Sequence, residues 1–386
     1  MSKDTKTQHF SLWLGIALGL NSVIGAGIFT MPLSLIKVAG PGGIFSIIIA
    51  GICVLCMGLG FGRISIIHNG QGNFSSYVQS WGGNILGFLA PLSFILGLAS
   101  AMGLLCRYIC NIASIYMTSF DGNYIGYLIL IGIFIATLFA SSIARSGQIV
   151  LLALTIIPLI IIAGLCMQDF SFTRFTPLLK NGVIGIFEGI PVVLFSFLGF
   201  ESIMSMTKFF KNPSREIPVA TVCTILLTII VYVTFVGLVI GGVPAEFLIT
   251  KKTLSEALLF ILPNAQWIVH FINASIIITI LGTIYAITLA LQQLLISSIE
   301  TSSKGKFVIS DNTSTLILMA IMLASFQWIK NMDKLFSIVG LAIAFTYFLC
   351  LLYLLIKPAT WYDYVIGGFA VSSSLLFIII AALQLA

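Results

Sequence analysis

Glu201 is the side chain with the most chemistry in reach. It lies in the run Phe195-Ser196-Phe197-Leu198-Gly199-Phe200-Glu201-Ser202, inside an otherwise apolar stretch. A carboxylate near the centre of a bilayer costs about 2.5–3.5 kcal/mol when charged. That cost fits a group that binds a proton in one state and releases it in another. The structural alternative is an acid in the first turn of a resumed helix, stabilising it through the dipole. A second run, Asn21-Ser22-Val23-Ile24-Gly25-Ala26-Gly27-Ile28-Phe29-Thr30-Met31-Pro32, sets two glycines, a polar pair and a proline in one membrane-length segment. Both runs read as broken helices. Irregular backbone at membrane depth is tolerated only when buried in protein or facing a watery cavity, so each break marks a candidate small-molecule site.

A broken helix offers chemistry without charged side chains. The N-terminus of a resumed half presents unpaired N–H groups, where the dipole favours an anion. Carbonyls freed near Ile24 and from Phe195 to Leu198 can accept from a cation, and Gly25, Ala26 and Gly27 let a ligand approach the backbone closely. A glycine kink serving close helix packing is the plainer reading of the first run.

The elements that must position these runs follow from composition. The 386-residue chain is 59% apolar and 8% charged, with a mean hydropathy of +1.15. Soluble domains are about 25% charged, so this is a chain for a lipid bilayer. Its net charge of +6 is spread singly between apolar runs and forms no basic stripe for nucleic acid. At about 20 residues per crossing, eleven spans are expected. They are Phe10–Ile36, Pro41–Gly62, Ile85–Thr118, Asn123–Ser142, Gly147–Met167, Gly182–Phe209, Pro218–Gly241, Gln266–Ser298, Thr313–Ile329, Lys334–Ile356 and Tyr364–Leu385. The first apolar run lacks a cleavage site and is read as a retained helix. No linker divides the chain, so residues 1–386 form one membrane domain. The cluster Lys208, Lys211 and Arg215 sets the N-terminus on the cytoplasmic side of the cell membrane. The breaks fall in the first and sixth spans, and that odd offset brings the second half in from the opposite face. Paired breaks of this kind characterise inverted-repeat secondary transporters.

These segments resemble the amino acid–polyamine–organocation (APC) superfamily of transporters. The first-helix pattern is Gly25-Ala26-Gly27-Ile28-Phe29, followed by Pro32. The sixth-helix pattern is Phe197-Leu198-Gly199-Phe200-Glu201, then Lys211-Asn212-Pro213-Ser214-Arg215-Glu216-Ile217-Pro218. The resemblance implies an all-α polytopic membrane protein, a five-plus-five inverted-repeat (LeuT/APC-like) helix bundle. Its first repeat would be residues 10–167, its second 182–356, with an extra helix at 363–385. It further implies a secondary transporter of amino acids by alternating access, not an enzyme, either ion-coupled or exchanging. The substrate would be bound by Ser22, Ile24, Gly25, Ala26, Gly27, Phe195, Ser196, Phe197, Leu198, Gly199 and Tyr285, with Glu201 coupling to H⁺. Phe195 and Tyr285 are the aromatic candidates to lie over the substrate.

Other residues carry subsidiary expectations. In the third span Ser93, Ser100, Arg107, Asn111, Ser114 and Thr118 share one helical face that should avoid lipid. Arg107 is a candidate partner for Glu188, or it snorkels to the outer interface. In the eighth span Ser275, Thr279, Gly282, Thr283, Ala286, Ala290, Gln293 and Ser297 form a small and polar stripe. It suits close packing, or a Na⁺ site shared with first-helix carbonyls. No cofactor and no metal site are expected: His9, His68 and His270 have no metal spacing, and the seven cysteines sit in apolar runs. The expected partners are an amino acid and the bilayer. Apolar neighbours of Glu201 favour a neutral substrate; a basic amino acid or polyamine antiporter and a non-transporting amino acid sensor are the alternatives.

Overall fold

The computed structural model describes residues 12–25, 27–69, 72–116, 122–139, 145–205, 210–251, 253–261, 266–303, 305–328 and 332–385. Among these the architecture is helical: α1 Leu12–Val23, α2 Gly27–Val38, α3 Gly43–Ile67, α4 Phe74–Ala113, α5 Gly122–Phe139, α6 Arg145–Gln168, α7 Gly182–Glu188, α8 Ile190–Phe197, α9 Ser202–Ser205 and α10 Pro213–Gly242. The chain continues through α11 Ala245–Thr250, α12 Leu254–Leu258, α13 Gln266–Ser302, α14 Asp311–Trp328, α15 Met332–Leu351, α16 Tyr353–Ile356 and α17 Trp361–Leu385. Among the described residues, six segments are long and apolar enough to cross a membrane: Gly40–Ile67, Phe74–Ala113, Ser214–Gly242, Gln266–Ser302, Lys334–Ile356 and Trp361–Leu385. The pair α1 and α2, bent by 47° at the break, is long and apolar enough when its two halves are taken together. Asn123–Leu138, Ala153–Gln168 and Gly182–Phe197 are shorter apolar helices. This is a multi-pass membrane protein.

Both breaks are present, and each has a local cause. The N–H of Ile24 still reaches Leu20 O at 2.7 Å, but Gly25 turns back onto Val23 O at 2.9 Å, and the helix resumes only at Gly27. In the second segment α8 stops at Phe197, because Leu198 adopts an extended ψ of 139° and Gly199 a φ of +113°. A side chain rarely tolerates that φ, so glycine is required at this point.

The third span differs from expectation at its start. Hydropathy places its beginning at Ile85, but α4 begins at Phe74, eleven residues earlier by number, with Asn73 and Ser76 forming a reciprocal capping box. The added turns, Phe74 to Asn84, are too polar to register as membrane-spanning, and the helix bends where Gly83 takes a φ of +75°. The cap nucleates what hydropathy cannot.

α4 is the central strut, packed against α13, α14 and α15, while α3 and α10 pack together beside α1 and α17. On the expected polar face of the third span, Ser93 and Ser100 turn onto neighbouring helices. Ser93 donates to Ala342 O at 2.8 Å, and Ser325 of α14 donates to Ser100 O at 2.7 Å. Thr118 lies outside the described residues. With lipid as apolar as the core, such close packing and interhelical hydrogen bonds, rather than burial from water, hold the helices together.

Candidate functional site

The two breaks touch. A Cβ built on Gly27 would lie 2.9 Å from Ser196 Cα, and one on Gly199 would lie 2.2 Å from the carbonyl oxygen of Ser22. Each glycine thus lets one broken segment seat on the backbone of the other. Beside the junction lies a cavity of about 430 Å³. Asn21, Ser22 and Ile24 border it from the first break, Leu198, Gly199, Glu201 and Ser202 from the second, and Thr279, Gly282, Thr283, Ala286 and Ala290 from α13. It runs toward the end of the bundle where α1 begins, reaching Gly72, Asn73 and Tyr77 at the start of α4. Asn73 also donates to Ser297 of α13 at 3.3 Å, joining two walls.

Glu201 is the only carboxylate among the described lining residues, which include no Lys, Arg or His. Its Oε2 accepts from the N–H of Gly199 at 3.1 Å and from the hydroxyl of Tyr347 at 3.0 Å. The first bond caps the unwound turn; the second ties that turn to α15. Tyr347 is fully buried, with the rings of Phe61, Phe74, Phe94 and Phe200 around it, the closest centroid being that of Phe61 at 5.1 Å. With its own backbone N–H as a third donor, the carboxylate has neutral donors and no Lys, Arg or His beside it in the described lining.

On the other side of the break α2, α4 and α12 are joined through one hydroxyl. Tyr108 of α4 is buried, with its hydroxyl 3.4 Å from Phe29 O of α2 and accepting from the N–H of Leu254 of α12 at 3.4 Å. Phe29 stacks edge-on against Phe235 at 6.5 Å.

A family model for amino acid permeases matches residues 10–385. The chain belongs to the amino acid permease family, within the APC superfamily. The family is one of transporters rather than enzymes. The permease is 24% identical over 279 residues to cationic amino acid transporter 9, chloroplastic, of Arabidopsis thaliana, covering 66% of this chain and 49% of that protein. It is 22% identical over 254 residues to the branched-chain amino acid permease BcaP of Bacillus subtilis, covering 60% and 54%. It is 25% identical over 266 residues to the aspartate-proton symporter of Bacillus subtilis, covering 64% and 51%. In each case the match spans about half the length of the relative. Among solved structures, a manganese transporter of Eremococcus coleocola matches with a TM-score of 0.64 at 12% identity, covering 100% of this chain and 90% of that one. That likeness speaks for the fold alone.

Of the residues expected to bind substrate, the structure brings Ser22, Ile24, Leu198 and Gly199 to the cavity wall. Gly25 abuts Thr283, its Cβ position 3.3 Å from the hydroxyl, and Gly27 is packed on Ser196. Phe195, Ser196 and Phe197 are buried and are not among the lining residues; the Phe195 ring stacks edge-on against Phe336 at 5.0 Å instead of facing the cavity. Tyr285 is likewise not in the lining, although its neighbours Thr283 and Ala286 are. Ala26 lies outside the described residues. The small and polar stripe of α13 faces the cavity through Thr279, Gly282, Thr283, Ala286 and Ala290. Thr283 donates to Thr279 O at 2.9 Å, and Thr155 of α6 reaches the Thr279 hydroxyl at 3.4 Å.

Arg107 and Glu188 are not brought together as an ion pair. The Arg107 guanidinium donates to Phe326 O and lies 4.8 Å above the Phe326 ring, while Glu188 is exposed and offers its backbone carbonyl to Gln384 at 2.6 Å. Among the described residues, ion pairs join Arg63 to Asp363 at 2.5 Å and Arg174 to Asp169 at 2.7 Å. Among those residues no three His, Cys, Asp or Glu side chains gather to hold a metal. Sequence reasoning missed Asn73, Phe74 and Tyr77, because they precede the apolar part of their span, and Tyr347, because nothing local marks it as a partner of Glu201.

Proposed function

We propose that this permease carries an amino acid across the cell membrane by alternating access, with Glu201 passing a proton between states. The observation that carries the reading is the cavity: two interlocked helix breaks border it, with a lone carboxylate and no basic side chain among the described lining. A substrate carboxylate there has backbone, amide and hydroxyl donors but no cationic side chain to turn to, which suits the N–H groups of a resumed helix. A substrate ammonium has carbonyls of the breaks and Glu201.

The far wall, with Phe61, Phe74, Phe94, Leu98, Ile287, Leu291 and Leu294, favours a neutral amino acid with an apolar side chain. The named relatives divide between cationic, branched-chain and acidic substrates, so the choice rests on this wall. The proposed topology is eleven crossings, ten of them in two inverted repeats, with the N-terminus in the cytoplasm. In that orientation the cavity faces inward and the Tyr108 contacts lie on the outer side. The coupling ion we favour is H⁺ rather than Na⁺, because Glu201 borders the cavity while Thr283 donates within its own helix.

Counterflow in proteoliposomes tests the reading. Vesicles preloaded with unlabelled L-leucine should take up labelled L-leucine, and a competition panel should rank apolar neutral amino acids above lysine, putrescine and aspartate. Saturable binding without exchange would make the protein a sensor, and preference for lysine or putrescine would make it a basic substrate antiporter.

A further inference from the structure

Tyr232 of α10 belongs to no motif and does not border the cavity. It is fully buried, its ring edge-on to Phe197 at 5.2 Å. Its hydroxyl lies 2.5 Å from the carbonyl oxygen of Ser196 and 3.1 Å from that of Val23. Both carbonyls belong to the last turn before a break. In continuous helices they would accept from the N–H groups of Phe200 and Gly27, four residues on. The breaks remove those helical partners: Val23 O keeps only a turn-back bond from the N–H of Gly25 at 2.9 Å, and Ser196 O takes the hydroxyl at the shorter distance; a buried carbonyl left under-satisfied is costly. One side chain of an unbroken neighbour serves both.

A second contact lies on the same face of α10, eight residues earlier. Thr224 points its hydroxyl at Ile16 O of α1 at 3.5 Å, and Gly19 allows the approach, since a Cβ there would lie 2.6 Å from that hydroxyl. α10 therefore grips α1 along its length and reaches the second break from the same side.

We propose that Tyr232 is a positioning residue, a hydroxyl staple that makes the two broken segments and α10 one mechanical unit. It acts on substrate only through the two backbones. A phenol has a single proton to donate, so the two carbonyls share it, and movement of either segment disturbs the bond to the other. Contact between the glycines alone would leave the segments free to slide. The directional bond sets their register. The consequence for transport rests on the function proposed above; the mechanical unit does not.

The test is Tyr232→Phe, which keeps the ring on Phe197 and removes the hydroxyl. In nanodiscs, amide hydrogen exchange is followed in peptides covering residues 16–30 and 192–204, with α17 as an internal reference. Both break peptides are expected to exchange about ten-fold faster, with α17 unchanged. Acceleration of one peptide alone, of neither, or of every helix equally overturns the proposal. In the wild type the two peptides should open at one common rate, and separate rates overturn it whether or not the variant folds. In proteoliposomes the apparent KM for labelled L-leucine should rise at least five-fold in the variant, which a mere loss of folded protein would not cause; an unchanged KM overturns the positioning role. A wild type that exchanges no amino acid removes the transport reading, and hydrogen exchange then decides the staple alone.

Discussion

At the scale of single residues, Glu201 and Gly199 act together. The carboxylate caps the N–H of Gly199 and meets the hydroxyl of Tyr347, so its structural and proton-coupling readings share one geometry. Glu201→Gln separates them. The amide oxygen still accepts both hydrogen bonds, so the folded protein should be recovered and labelled L-leucine should still exchange at equal pH. Uptake driven by a proton gradient should fall at least ten-fold in proteoliposomes; uptake that survives unchanged removes Glu201 from coupling. Gly199→Ala should fail at an earlier stage. Its φ of +113° disfavours a side chain, and the added Cβ would meet Ser22 O at 2.2 Å. Strain of about 1–3 kcal/mol plus the clash should lower the unfolding midpoint in detergent and push the breaks apart. A variant as stable and active as wild type would mean that the breaks do not seat on each other.

At the scale of elements, α17 is fastened at both ends. Asp363 in its first turn is wholly buried, accepts from the N–H groups of Ala359 and Thr360 at 2.8 and 2.7 Å, and pairs with Arg63 of α3 at 2.5 Å. At the other end Gln384 accepts from Ser337 of α15 at 2.5 Å and donates to Glu188 O at 2.6 Å. Removing Arg63, itself a quarter exposed, leaves the buried Asp363 charge with only its two backbone donors, which is costly. Arg63→Ala should therefore cost about 1–3 kcal/mol, read as a lower unfolding midpoint in detergent, whereas Arg63→Lys should retain much of that stability. A shift no larger than that of an exposed substitution would show the pair to be incidental. The helices themselves were legible as apolar runs, yet the start of α4 was not, since its first turns are polar and face a cavity rather than lipid.

At the scale of the whole molecule, the cavity reaches toward the end where α1 begins, and the Tyr108 contacts lie on the other side of the break. Filling the cavity should stop function without disturbing the bundle. Ala286→Trp, on the lining face of α13, should reduce binding of labelled L-leucine at least ten-fold while moving the unfolding midpoint by only a few degrees. Full binding would place the substrate elsewhere.

The chain alone determined that this is a membrane bundle, that two of its helices are interrupted, and that Glu201 sits at one interruption. Apolar length, glycine and misplaced polarity are properties of contiguous residues, so they can be read without a fold. The same local signals could not place Phe195 and Tyr285, which are not in the cavity lining, because an aromatic beside a break can face either the cavity or the packing behind it. Arg107 was drawn to a carboxylate by charge, when a carbonyl and the Phe326 ring were nearer. Only the tertiary structure decided that the breaks interlock, that Tyr347 donates to Glu201, and that Tyr232 donates to the carbonyls of Ser196 and Val23. Tyr347 is 146 residues from Glu201 along the chain, and a hydroxyl acquires its partner only when distant helices are brought within hydrogen-bond reach.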